Sequence, residues 1–132
     1  MNVLHVYRTY FPQSQGGLEE VIRQICRNTR PLGIKSRVLS VADRSTPLVV
    51  RREEAAVFQS RRDLEFASCT VSLQAFRLYR RLARWADVIH FHFPWPFGDL
   101  LHLLSPSEKP TLLTYHSDIV RQRFLGKLYA PL

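Results

Sequence analysis

A chain of 132 residues is long enough for one domain with its own core and too short for two. Its 45% apolar content fits a globular protein rather than a disordered one, and no apolar run reaches the roughly 18–20 residues that a membrane helix needs. Nineteen Lys and Arg against eleven Asp and Glu give a basic surface that favours polyanions, whether nucleic acid, anionic lipid headgroups or phosphorylated ligands.

Residues 1–10 hold no basic segment followed by an apolar stretch, so no secretory signal is expected. Asn2 to Tyr7 (NVLHVY) reads as a strand. Arg8 to Gly17 is a loop with Pro12 and the pair Gly16-Gly17. An amphipathic helix follows: Leu18, Val21, Ile22, Ile25, Thr29 and Leu32 recur at three- and four-residue spacing, with Arg23, Arg27 and Arg30 elsewhere. Gly33 stands where a left-handed cap ends a helix. Ile34 to Val41 is a second strand, so about forty residues make a parallel βαβ unit. Cys26 and Cys69 form no Cys-x-x-Cys pair and read as reduced packing residues.

Leu48 to Arg51 and Ala55 to Phe58 read as short strands around Arg52-Glu53-Glu54. Thr70 to Ala86 reads as a second helix. Val71, Ala75, Leu78, Leu82 and Trp85 form one stripe of it, and Arg77, Arg80, Arg81 and Arg84 another on the opposite side. Asp87 to Phe93 (DVIHFHF) is a buried-type strand. The turn Pro94-Trp95-Pro96, a short helix from Phe97 to Leu104, a strand from Lys109 to Tyr115 and a helix from Ile119 onward complete the chain. Strands alternating with helices predict an α/β fold with a Rossmann-like parallel sheet flanked by helices. The chain stops at Ala130-Pro131-Leu132 with no closing strand, the pattern of a piece of something longer.

Three stations could carry chemistry. The loop QSQGGLEE, Gln13 to Glu20, opens a helix. Glycines there let backbone approach a ligand, and N–H groups at a helix start favour an anion. It is neither Gly-x-Gly-x-x-Gly nor a P-loop, and a plain turn with Glu19 and Glu20 favouring the helix dipole is the competing reading. His90 and His92 share a strand face, as metal ligands can. No third ligand has suitable spacing, so no metal is expected. His92 lies nearer the carboxyl edge, where α/β proteins bind ligands. His116 and Asp118 sit at the same edge one strand on. A histidine there can exchange a proton with a hydroxyl. Asp118 either orients it or caps the next helix.

Together these stations resemble a known family. Gly16-Gly17-Leu18-Glu19, His90-Phe91-His92-Phe93-Pro94 and Thr114 to Asp118, with Val3 to Tyr7 and Tyr10-Phe11-Pro12, resemble the retaining, GT-B-fold glycosyltransferases of group 1. The likeness is strongest to bacterial mannosyl- and rhamnosyltransferases of lipopolysaccharide O-chain assembly, and it covers essentially the whole chain. It implies that residues 1–132 are part of the N-terminal, acceptor-side domain, with the C-terminal donor domain absent, so that the chain alone is inactive. It implies a nucleotide-sugar donor, GDP-mannose or GDP-rhamnose, and a lipid-linked saccharide acceptor. Gly16 and Gly17 would approach the donor diphosphate. His116 would be catalytic beside the acceptor hydroxyl, and His92 and Asp118 would bind the acceptor. No cofactor and no metal are implied, since the nucleotide-sugar is a substrate.

The arginine stripe Arg77, Arg80, Arg81 and Arg84 is either a solvated helix face or a dock for an anionic membrane surface, which fits a cytoplasmic enzyme peripheral on the inner face of the cytoplasmic membrane. Two other readings compete. A nucleic-acid-binding module would need exposed aromatics among the arginines, and Tyr79 and Trp85 lie nearer the apolar stripe, so no nucleic acid is expected. An inactive truncation product would aggregate through an unclosed sheet edge.

Overall fold

The computed structural model describes residues 1–43, 46–66 and 69–115. Strand β1 (Asn2–Val6) starts at the second residue, with Leu4 and Val6 buried on one face and His5 on the other. Helix α1 (Gly17–Thr29) follows the glycine loop, with Glu19 and Glu20 in its first turn, where carboxylates favour the helix dipole. A single 3-10 turn, Arg30–Leu32, tightens its end, and Gly33 closes it at φ +85°, a conformation that costs glycine least. Strand β2 (Lys35–Ala42) completes the βαβ unit.

Strands β3 (Val49–Arg51) and β4 (Ala56–Arg61) form an antiparallel hairpin around Arg52-Glu53-Glu54. A second hairpin, β5 (Leu64–Phe66) and β6 (Cys69–Val71), stands as a separate two-stranded sheet. Then come α2 (Leu73–Trp85), β7 (Val88–Phe93), α3 (Pro96–Leu104) and β8 (Thr111–Tyr115).

The main sheet has the order β3-β4-β2-β1-β7-β8, and every pairing except β3 with β4 is parallel. The chain winds outward from β1 through β2 to β4, then returns to lay β7 on the other side of β1. The strand order therefore reverses between β1 and β7, and in open α/β sheets the crevice beyond the carboxyl ends at such a point is where ligands bind.

Alternation sorts the core. Tyr79 of α2 packs on Phe91 with ring centroids 5.7 Å apart, so Ile89 and Phe91 face α2 and α3. Leu4 and Val6, the register partners of Ile89 and Phe91, share that face. His5, His90 and His92 therefore project from the opposite face.

Some expectations shift. Val21 and Leu32 are exposed, at 42% and 76%, while Cys26 and Ile22 fill the core from α1. The apolar stripe is narrower than the spacing suggests because the helix ends at Thr29, in the 3-10 turn, before Leu32 can face the sheet. The helix expected from Thr70 starts at Leu73, because Cys69–Val71 pairs with β5 and withholds those backbone groups from a helix. Cys26 is a free, buried thiol that burial pushes up to about 11, as a packing residue should be. The helix expected from Ile119 lies outside the described residues.

Candidate active site at the carboxyl edge of the sheet

Three histidines gather at the switch point. His5 is the penultimate residue of β1 and pairs in register with His90 of β7. His92, two residues on, is the penultimate residue of β7 and shares its face. His5 and His92 are fully buried, and His90 is half-buried. His5 Nδ1 and His92 Nε2 share a hydrogen bond of 3.0 Å. His90 Nε2 lies 2.6 Å from Thr114 Oγ1 on β8. The rings of His90 and His92 stack at 4.1 Å between centroids, and the His5 ring lies 5.3 Å from each. Burial, reinforced by neighbouring His90, lowers His5 from 6.5 to about 3, so its imidazole is neutral around pH 7.

The missing third histidine of the sequence reading is thus His5, contributed by the neighbouring strand. Spacing along the chain could not show it, because 85 residues separate it from His90. The available signal was positional: His5 and His92 each stand one residue before the end of a parallel strand.

The glycine loop leaves the same edge from the end of β1. Its geometry is held by Glu19, whose carboxylate folds back over the loop. Glu19 Oε2 accepts from the Gly16 N–H at 2.6 Å and from the Ser14 hydroxyl at 2.8 Å. A Cβ on Gly16 would lie 2.6 Å from that oxygen, so a larger residue there must displace the Glu19 carboxylate from its place over the loop. At Gly17 an added Cβ meets nothing within 4 Å. Packing does not require glycine at 17, and the open backbone there is accessible to a ligand. A second carboxylate braces the start of the loop. Glu54 accepts from Arg52 Nε at 2.6 Å and from the Tyr10 hydroxyl at 3.1 Å. Burial alone would raise Glu54, but these bonds and one from its own backbone outweigh it and hold the carboxyl below its usual range.

Among the residues singled out in the sequence, the structure brings His92 to the switch point and places Gly16 at the N-cap and Gly17 at the first position of α1, after the loop that leaves β1. His116 and Asp118 lie outside the described residues. All four arginines of the α2 stripe are exposed, while Ala75, Leu78, Tyr79, Leu82 and Ala83 are buried. Tyr79 is therefore closed to a nucleic-acid base. Trp85 is half-buried and covered by the Arg37 guanidinium, 4.1 Å from the ring centroid.

Residues 15–132 match the family model for Glycosyltransferase Family 4. The chain belongs to this family. It is 48% identical over its full length to D-rhamnosyltransferase WbpZ of Pseudomonas aeruginosa and 40% identical to O-antigen chain mannosyltransferase C of Escherichia coli. It covers 35% and 36% of those proteins, so this family 4 chain spans about a third of the length of the curated relatives it matches. Among solved structures it is similar to sucrose-phosphate synthase (tll1590) from Thermosynechococcus elongatus, with a TM-score of 0.58 and 13% identity over 88% of this chain and 33% of that one. That neighbour is a GT-B enzyme, and the family 4 chain shares its α/β architecture of a mostly parallel sheet flanked by helices.

Proposed function

We propose that the chain is the acceptor-side, N-terminal part of a retaining glycosyltransferase. It moves a hexose from a nucleotide-sugar, GDP-mannose or GDP-rhamnose, to a lipid-linked saccharide in cell-surface polysaccharide synthesis. The observation that carries this reading is the end-to-end likeness to a rhamnosyl- and a mannosyltransferase. The switch point supports it, with histidines and an open glycine backbone at one edge of the sheet.

In this reading the donor diphosphate approaches Gly17, since the Gly16 N–H is engaged by Glu19. The bond from the sugar C1 to the diphosphate breaks through an oxocarbenium-like state. The acceptor oxygen bonds to C1 on the same face, and its proton passes to the departing phosphate oxygen. His116 lies beside the acceptor hydroxyl and the transferring sugar, where its imidazole can hold a hydrogen bond as charge develops. His92 and Asp118 shape the acceptor pocket, His92 from within the buried cluster. No metal takes part in the sugar chemistry.

The test is transfer of radiolabelled sugar from GDP-mannose or GDP-rhamnose to a lipid-linked acceptor by the full-length protein. His116→Ala should lower kcat by about 100-fold or more with the fold intact by circular dichroism. Gly17→Ala should raise the donor KM and leave Tm unchanged. Unchanged transfer in His116→Ala would make that side chain structural. No transfer from the unaltered protein with either donor would remove both donors.

Such an enzyme works at the cytoplasmic face of a membrane, and the exposed arginines of α2 suit that surface. A basic residue near an anionic bilayer gains about 1 kcal/mol. Changing Arg77, Arg80, Arg81 and Arg84 together to Gln should weaken sedimentation with anionic phosphatidylglycerol vesicles by at least about tenfold and leave transfer to a detergent-soluble acceptor intact. Equal sedimentation of both proteins would reduce the stripe to a solvated face.

A further inference from the structure

The histidine cluster brings three imidazoles together at the switch point. Its three imidazoles come from adjacent parallel strands, two from β7 at i and i+2 and one from the register partner on β1. One candidate ligating nitrogen from each lies within 4.8 Å of the other two. Two nitrogens bound to one tetrahedral ion sit about 3.3 Å apart. His5 Nδ1 and His92 Nε2 are already 3.0 Å apart.

We propose that His5, His90 and His92 bind one divalent transition-metal ion of the zinc type, which clamps β1 to β7 at the switch point. Imidazole is a ligand for zinc, cobalt, nickel and copper and a poor one for magnesium or calcium, which prefer oxygen. Ligands carried on paired strands are held more firmly than ligands on loops. The nearby Thr114 hydroxyl supplies the outer hydrogen bond that metal-bound histidines commonly have, here at His90 Nε2, so that His90 ligates through Nδ1. The proton between His5 and His92 need not be lost when the ion binds. The donor of that pair moves it to its other ring nitrogen, and both imidazoles bind in neutral form. This role is structural and does not depend on the sugar chemistry proposed above.

The test uses the full-length, tag-free protein, stripped with a chelator and titrated with Zn²⁺ by calorimetry and with Co²⁺ by visible absorption. One ion per chain is expected, with a Kd of about 10 µM or tighter. Co²⁺ should give the intense visible bands of a tetrahedral site. Zn²⁺ at a hundredfold excess over Kd should raise Tm by about 5 °C. His90→Gln removes a ligand at a half-buried position and should weaken binding about 100-fold or more, whereas His102→Gln should leave it unchanged. His92→Cys gives a gain of signal that a misfolded protein would not mimic: a sulfur-to-cobalt charge-transfer band. The proposal is overturned by the absence of saturable one-to-one binding at that affinity, by full affinity in His90→Gln, or by Co²⁺ bound to the His92→Cys protein without the charge-transfer band.

Discussion

Lowering the pH from 6.5 to 4.5 in chelator-treated buffer should cost the protein about 2 kcal/mol of stability through His5 alone. Folded His5 titrates at about 3, since its imidazole is buried beside His90. In the unfolded chain it titrates near 6.5. Between these values the unfolded state binds a proton that the folded state does not, so stability rises with pH and falls as acid is added. The loss is absent above pH 6.5 and complete below about 3, where it reaches ~5 kcal/mol. Carboxylates act in a lower window. Glu54, held below its ordinary value, contributes stability that is present above pH 4.5 and lost as pH falls through its folded value. The range from 6.5 to 4.5 therefore separates the histidine from it. Urea denaturation at several pH values, compared between the native protein and His5→Gln, reads the effect. The variant should be less stable at pH 7 and show a flatter slope below 6.5. Equal slopes would mean that His5 is protonated in the folded state.

Trp95→Ala should destabilise the protein by about 3–5 kcal/mol, enough to unfold a marginal domain. Trp95, in the turn Pro94-Trp95-Pro96, is 1% exposed. It stands at the start of α3 and ties that helix to β6. Its ring lies 5.6 Å from Phe97, measured between centroids. Its indole Nε1–H donates to the Thr70 carbonyl on β6 at 2.9 Å. Its Cε3 approaches Gly98 so closely that a Cβ there would stand 3.1 Å away. Alanine leaves a cavity and strands a buried carbonyl, and each adds to the loss. Trp95→Phe keeps most of the volume and loses the hydrogen bond, so its cost should be about 1–2 kcal/mol. Urea denaturation of the two variants separates packing from hydrogen bonding. Equal, small losses would mean that the site collapses around either side chain.

Strand β8 lies at an edge of the main sheet. Leu112, Leu113 and Tyr115 are 55–66% exposed on this edge strand, so both of its faces present apolar surface. An edge of that kind aggregates unless something covers it. The chain spans about a third of the length of the relatives it matches.

The sequence by itself determined the features that local chemistry controls. Helical spacing marked α1 and α2, alternation and apolar runs marked β1, β2, β7 and β8, and Gly33 marked the end of the first helical segment. Short motifs at strand ends were enough to indicate the family, because each motif lies within a few residues. Only the tertiary structure decided what depends on pairing at a distance. The β5–β6 hairpin took residues that a helical pattern also fits, since strand pairing outweighed a weak local preference. The carboxylate of Glu19 turned inward to organise the glycine loop, close against Gly16 and clear of Gly17. His5 joined His90 and His92 because β7 returns beside β1, and the parallel register, absent from any local pattern, set the imidazoles against one another.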